Sequence, residues 1–284
     1  LIRMKWFALS ANNKVVRRAV EGSTQLAFGR LLAPIGLVVG DMVGQMANIL
    51  HAGAKIRSKI SLKEVFSING MRLVAKQYRS FPVQNGIPSL MNALSLLLPI
   101  IIINRLFDTQ TTGYFDLARM VLILPLSLFT TSLSQVLLQQ FAQKKNEHAS
   151  IKKEALVIFF SLSAMALLFA LLISFWGIPL FKFVFGNEWA KSGIYAKILV
   201  WAFALKFVVS PFNIVFTAFE KIGVFSIWQT FYFILILSLN WIPFNGMEQF
   251  LTTYLIIELL SYSAAAVLDA GLIIRYEKAL SGNR

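Results

Sequence analysis

A chain of 284 residues that is 57% hydrophobic and only 14% charged, with a mean hydropathy of +0.68, lies outside the soluble range of about 45 to 50% apolar and about 25% charged. It reads as an integral membrane protein of the all-α class, a polytopic helix bundle. The absence of cysteine excludes disulfides, thiolate catalysis and Cys-ligated metals, and the net charge of +14 does not point to nucleic acid, because the basic residues fall between apolar runs, where they mark a membrane face.

Apolar periodicity predicts about eight spans, at 15–33, 35–53, 82–106, 113–141, 153–177, 190–218, 222–243 and 248–274. The first two are rich in small residues, with Gly36, Gly40 and Gly44 in successive GxxxG spacings. In lipid that pattern predicts close helix packing rather than a nucleotide loop. Residues 54–80 follow as the longest loop, mixing Val65, Phe66, Ile68, Met71, Leu73 and Val74 with basic residues, and predict an interfacial amphipathic helix. The stretch 81–142 is two long apolar runs joined by a short polar turn, a membrane hairpin.

Pro34 and Pro82 sit near span starts, whereas Pro99, Pro125 and Pro211 lie inside spans and predict kinks. Trp176, Trp189, Trp228 and Trp241 fall near span ends, as interfacial aromatics do. With the N-terminus in the cytoplasm, the inside segments hold twenty Lys and Arg residues, and the outside loops hold only Arg105, Lys182 and Lys191. That bias predicts cytoplasmic termini.

Charges inside the spans are the candidate functional groups, since each must find a partner or face water. Asp116 and Arg119 are one turn apart just inside the fourth span, which allows either an ion pair or substrate contact by Arg119. Lys206 and Glu258 lie about 18 and 15 Å from the outer ends of their spans, near the midplane by helical rise. They read as a structural pair, as an ion-coupling site or as a substrate contact. Arg30 and Asp41 flank the Pro34 turn and are expected to pair, while Lys197 can snorkel to the interface. His51 and His148 have no metal-ligand spacing around them, so no metal or other cofactor is expected.

The runs VAKQYRSFPVQNGIPSLMNALSLLLP, GYFDLARMVLILPLSLFTTSLSQVLLQQFA and FGNEWAKSGIYAKIL, in that order, resemble the oligosaccharide flippases of the multidrug/oligosaccharidyl-lipid/polysaccharide exporter superfamily. The likeness is to O-antigen and exopolysaccharide repeat-unit translocases and covers nearly the whole chain. It implies two related six-helix lobes. Residues 1–53 would then be the last two helices of the N-terminal lobe, 54–80 a cytoplasmic linker, 81–276 the C-terminal six-helix lobe and 277–284 a cytoplasmic tail. Four earlier helices are expected to be missing, in keeping with Leu at position 1.

The resemblance further implies a non-enzymatic transporter of the bacterial cytoplasmic membrane. It would move a polyprenyl-diphosphate-linked oligosaccharide by alternating access among membrane lipids, for polysaccharide, O-antigen or lipopolysaccharide assembly, alongside a polysaccharide polymerase and glycosyltransferases. A diphosphate entering low dielectric needs fixed cations, which makes Arg119, Lys206 and Arg30 the candidate substrate-binding residues. Asp116, Asp41 and Glu258 are the candidates for charge pairing or ion coupling. Alternatives are a drug or lipid-precursor exporter of the same superfamily and a membrane glycosyltransferase or polymerase. The latter would need acidic residues on a large loop, and the loops here are short.

Overall fold

The computed structural model describes residues 7–29, 35–57, 68–77 and 86–282, nearly all of them helical and none in a strand. The chain divides into two compact units, Leu1–Arg79 and Ser80–Arg284.

In the first unit, α1 (Phe7–Gly29) packs on α2 (Ile35–Arg57), and α3 spans Ile68–Gln77. The GxxxG glycines make the α1–α2 contact: a Cβ on Gly44 would stand 2.8 Å from Glu21 Cβ, and one on Gly40 would collide with Gln25. Such a close approach lets the side chains of α1 pack directly on the backbone of α2. Glu21 is buried at this contact, its carboxylate 2.8 Å from Arg18 and 3.7 Å from Arg17. The amphipathic helix expected in 54–80 appears as the ten-residue α3, with the rest of that loop outside the described residues, as are Arg30, Pro34, Phe81 and Pro82.

The second unit holds α4 (Ile87–Leu106), α5 (Thr109–Asn146), α6 (Lys152–Phe185), α7 (Ala190–Val209), the short α8 (Ile214–Ala218), α9 (Ile222–Ser238) and α10 (Met247–Gly282). Among the described residues, six helical stretches are long and apolar enough to cross a membrane, and all belong to this unit. Eight were expected. The other two fold as α1 and α2, whose apolar runs are interrupted by Lys14, Arg17, Arg18 and Glu21 in one and by Asp41, Gln45 and Asn48 in the other.

The long helices overshoot a hydrocarbon core of roughly 30 Å, since α5 with 38 residues extends about 57 Å at 1.5 Å per residue. Their outward faces carry large apolar side chains, among them Phe175 at 70%, Ile227 at 74% and Val267 at 71% exposure, a surface suited to lipid. The chain is therefore a polytopic membrane helix bundle.

Helix α7 is the centre of the unit. Tyr195, Leu199, Val200, Phe203 and Phe207 are all buried, and α5, α6 and α10 pack around it. Its closest neighbour is α6, where a Cβ on Gly193 would stand 2.8 Å from the Cα of Ile178 and 3.0 Å from the carbonyl oxygen of Gly177. Pro211 ends α7 in a 3-10 turn over Ser210–Asn213 before α8 resumes, so the expected kink is a break. Pro99 and Pro125 stay inside continuous helices.

The turns gather at two ends. At one, Arg105 donates to Asn240 (3.0 Å), Phe107 packs on Phe250 and Tyr114 on Trp189, whose 3-10 turn Asn187–Trp189 follows Gly186 at φ 102°. Asp108 caps α5 there by accepting from the Thr111 N–H at 2.6 Å, and that bond holds its carboxyl below the ordinary aspartate value. At the other end, Glu277 accepts from the Ile151 N–H at 2.7 Å, Tyr276 stacks on Phe219, and Lys145 meets Glu220 at 2.9 Å. The Lys145 contact holds the Glu220 carboxyl below its usual range. We call these the tryptophan end and the lysine end, the latter carrying Lys144, Lys145, Lys152, Lys153 and Lys221.

Candidate functional site: a lysine at a polar cleft

An alternation of polar and apolar residues along α10 places Tyr254, Glu258 and Tyr262 on one face at successive turns, because residues four apart in a helix stack above one another. That face meets Lys206 on the last turn of α7, just before the Pro211 break, and Trp228 and Tyr232 on α9. Glu258 is 1% exposed. One of its oxygens accepts from the Tyr232 hydroxyl at 2.6 Å, and the other lies 3.8 Å from Lys206 Nζ.

The ammonium also sits 4.9 Å from the Tyr262 ring centroid and 5.9 Å from those of Tyr232 and Phe203. Aromatic faces around a cation supply attraction without removing its charge. The cage is braced by Trp228, whose indole N–H donates to the Ser261 carbonyl at 2.8 Å and whose ring stacks on Tyr232 at 5.8 Å. Trp228, expected at an interface, is in fact buried at 6% exposure, because α9 turns it toward α10 rather than toward lipid.

Lys206 is not sealed in. It lines a cleft of about 370 Å³ together with Ser89 and Asn92 of α4, Asn213 of the 3-10 turn and Gln229 of α9. The first turns of α4 and α9 frame this cleft, so it runs inward from the lysine end. Lys206 is the one charged group among its lining residues. Two of its lining residues carry buried polar atoms without hydrogen-bond partners, Asn213 Oδ1 and Gln229 Nε2. Unsatisfied buried groups are costly, and here they sit beside a cation and the rings of Phe225 and Trp228, an arrangement that can receive a polar ligand.

The remaining sequence candidates do not line this cleft. Arg119 on α5 donates one guanidinium nitrogen to the Leu96 carbonyl of α4 and brings another to 3.2 Å from Asp116, and its side chain is 15% exposed. It ties α5 to α4 at Leu96, which lines the cleft, and stands near enough for its charge to act on Lys206. Asp41 lies in the first unit, 3.2 Å from Arg17. The expected partner, Arg30, is outside the described residues, and Arg17 reaches Asp41 because α1 and α2 pack antiparallel. Lys197 packs its stem against Gly177. His148 lies in the turn between α5 and α6 at φ 51°, and His51 lies in α2.

Sequence reading missed the aromatic cage and the amides. Tyr254, Glu258 and Tyr262 were detectable as a four-residue polar period inside an apolar span, but Asn213 and Gln229 carry no local signal. Only the fold brings them to Lys206.

The family model for polysaccharide biosynthesis proteins matches residues 30–193, more than half of the chain. No curated protein and no solved structure matches it. The chain belongs to the polysaccharide biosynthesis protein family, and it is a multi-pass membrane protein with a role in polysaccharide biosynthesis or export. The match begins in the first unit and ends early in α7, so Lys206 and Glu258 lie beyond it.

Proposed function

We propose that this member of the polysaccharide biosynthesis protein family is a flippase that carries a polyprenyl-diphosphate-linked oligosaccharide across the bacterial cytoplasmic membrane. In this reading the second unit is a six-helix lobe and the first unit contributes two helices of the other lobe, with 54–80 as the linker. The observation that carries the reading is Lys206 at the polar cleft. A fixed cation offsets the cost of bringing a diphosphate into low dielectric, while amides, hydroxyls and aromatic faces suit sugar hydroxyls and rings.

Translocation needs no covalent step. The lipid tail stays in the bilayer, and the site has only to bind at one face and release at the other, which Glu258 assists by competing for the same ammonium once the diphosphate departs. In this reading the lysine end faces the cytoplasm, as its positive charge favours, and the cleft opens on the side where the sugar is assembled.

The test is depletion of the protein in its own cells. Lipid-linked oligosaccharide should accumulate and stay protected in intact spheroplasts from an impermeant glycan-oxidising reagent. A halt in its synthesis would replace the proposal with a glycosyltransferase or polymerase, and accumulation of reagent-accessible material would place the defect after translocation.

A further inference from the structure

A larger groove, of about 640 Å³, opens at the lysine end between α6 and α10, with the 3-10 turn after α7 as its floor. Its walls are apolar, formed by Ala155, Leu156, Phe159, Phe212 and Ile273. Within it sits Asp269 of α10, 3% exposed, and neither of its carboxylate oxygens has a hydrogen-bond partner.

The titratable groups that share the groove are Lys152 of α6 and Glu277 and Lys278 of α10, all at the rim, while α7 and the 3-10 turn contribute only Val209 and Phe212. Eight residues of helix, about 12 Å, separate Asp269 from Glu277. Glu277 is itself engaged by Ser150 and by the backbone N–H groups of Ile151 and Lys152.

An ionised carboxylate in apolar surroundings with no partner is far more costly than a neutral carboxylic acid, which can be buried at the cost of an ordinary polar group. A metal ion is a poor occupant. Hard cations take several oxygen ligands, and among the described residues no group of three His, Cys, Asp or Glu side chains could hold one. A proton is the ligand that a lone buried carboxylate can take with no further partner.

We propose that Asp269 is a proton-binding site, neutral in this arrangement of α6, α7 and α10, and that the groove between α6 and α10 is the path by which it exchanges with water at the lysine end. On ionisation the O–H bond breaks, its electron pair stays on the carboxylate, and the proton passes to water entering the groove. The resulting anion needs hydration through the groove or the approach of Lys152 or Lys278 from its rim. The groove shares no lining residue with the Lys206 cleft, so this site stands or falls separately from the transport reading.

The test uses the intact protein in detergent or liposomes at neutral pH, in two measurements. The infrared carbonyl band of a protonated carboxylic acid should be present and should be lost in Asp269→Asn, which preserves shape and leaves Glu258 in place. Dicyclohexylcarbodiimide, an apolar reagent for protonated carboxyls, should modify the wild-type peptide containing Asp269, with labelling falling roughly tenfold per pH unit once the proton leaves. An acid band that persists unchanged in the variant overturns the proposal. So does an Asp269 peptide that stays unmodified while a water-soluble carbodiimide labels the exposed carboxylates.

Discussion

Removing either member of the Lys206–Glu258 pair separates its structural role from its role toward a ligand, because the two partners differ in burial. The Glu258 side chain is 1% exposed and that of Lys206 is 19% exposed. Lys206→Met strands a carboxylate left with only neutral tyrosine hydroxyls, Tyr232 at 2.6 Å among them, and breaking a buried pair in this way costs about 3–5 kcal/mol. Against a total stability of about 5–15 kcal/mol, that should be visible as lower abundance and a lower melting temperature.

Glu258→Gln leaves the ammonium facing the cleft and three aromatic rings, so its cost should be nearer the about 1–3 kcal/mol of a lost hydrogen-bond partner. The double variant carries no charge to strand and should recover most of the stability, giving a favourable coupling between the two changes. Melting can be followed by the fluorescence of the six tryptophans, and function by surface polysaccharide from chromosomal substitutions. The ligand role requires that the double variant be stable and still make no surface polysaccharide. A double variant that restores both would reduce Lys206 to a structural residue and refute the cleft argument.

Gly193→Ala places a Cβ 2.8 Å from the Ile178 backbone, which cannot rotate away, so α6 and α7 must separate at a cost of about 1–3 kcal/mol, while Gly223→Ala, with open space around it, should leave the melting temperature unchanged. Arg119→Ala should lower protein abundance more than Arg119→Lys, which can still reach one acceptor, and a loss of polysaccharide at full abundance would instead make Arg119 a ligand contact. In this cysteine-free chain, an impermeant thiol reagent outside the cell should label a Cys placed at Thr111 or Asn245 but not at Ser58 or Asn146, and outside labelling at Asn146 would invert the orientation. The Asp108 carboxyl, bonded to Thr111, titrates lower folded than unfolded, so its contribution is present above the ordinary aspartate value and is lost as pH falls through the folded one. Asp108→Asn should therefore flatten the acid limb of a melting-temperature profile, and an unchanged limb would remove the cap from the account.

Local apolar runs determined the membrane class and the six helices of the second unit. A stretch such as 190–218 has to be helical and lipid-compatible whatever its neighbours are, because an unpaired backbone cannot enter a bilayer. Pro211 was equally legible, since a missing N–H acts on its own turn. The GxxxG glycines declared a close contact, although only the packed pair shows that Gln25 and Glu21 of α1 fill the approach.

Charge pairing depended on distance in space. Lys206 and Glu258 were visible as misplaced charges at similar depth, but Asp41 met Arg17, twenty-four positions away, through the antiparallel packing of α1 and α2. Trp228 shows the limit of a composition rule, because a tryptophan near a span end faces lipid or protein according to the rotation of its helix, and rotation is set by neighbours. The cleft and the isolation of Asp269 were decided by tertiary structure alone. A cavity is the space that helices fail to fill, and a carboxylate lacks a partner only when every packed neighbour has been placed.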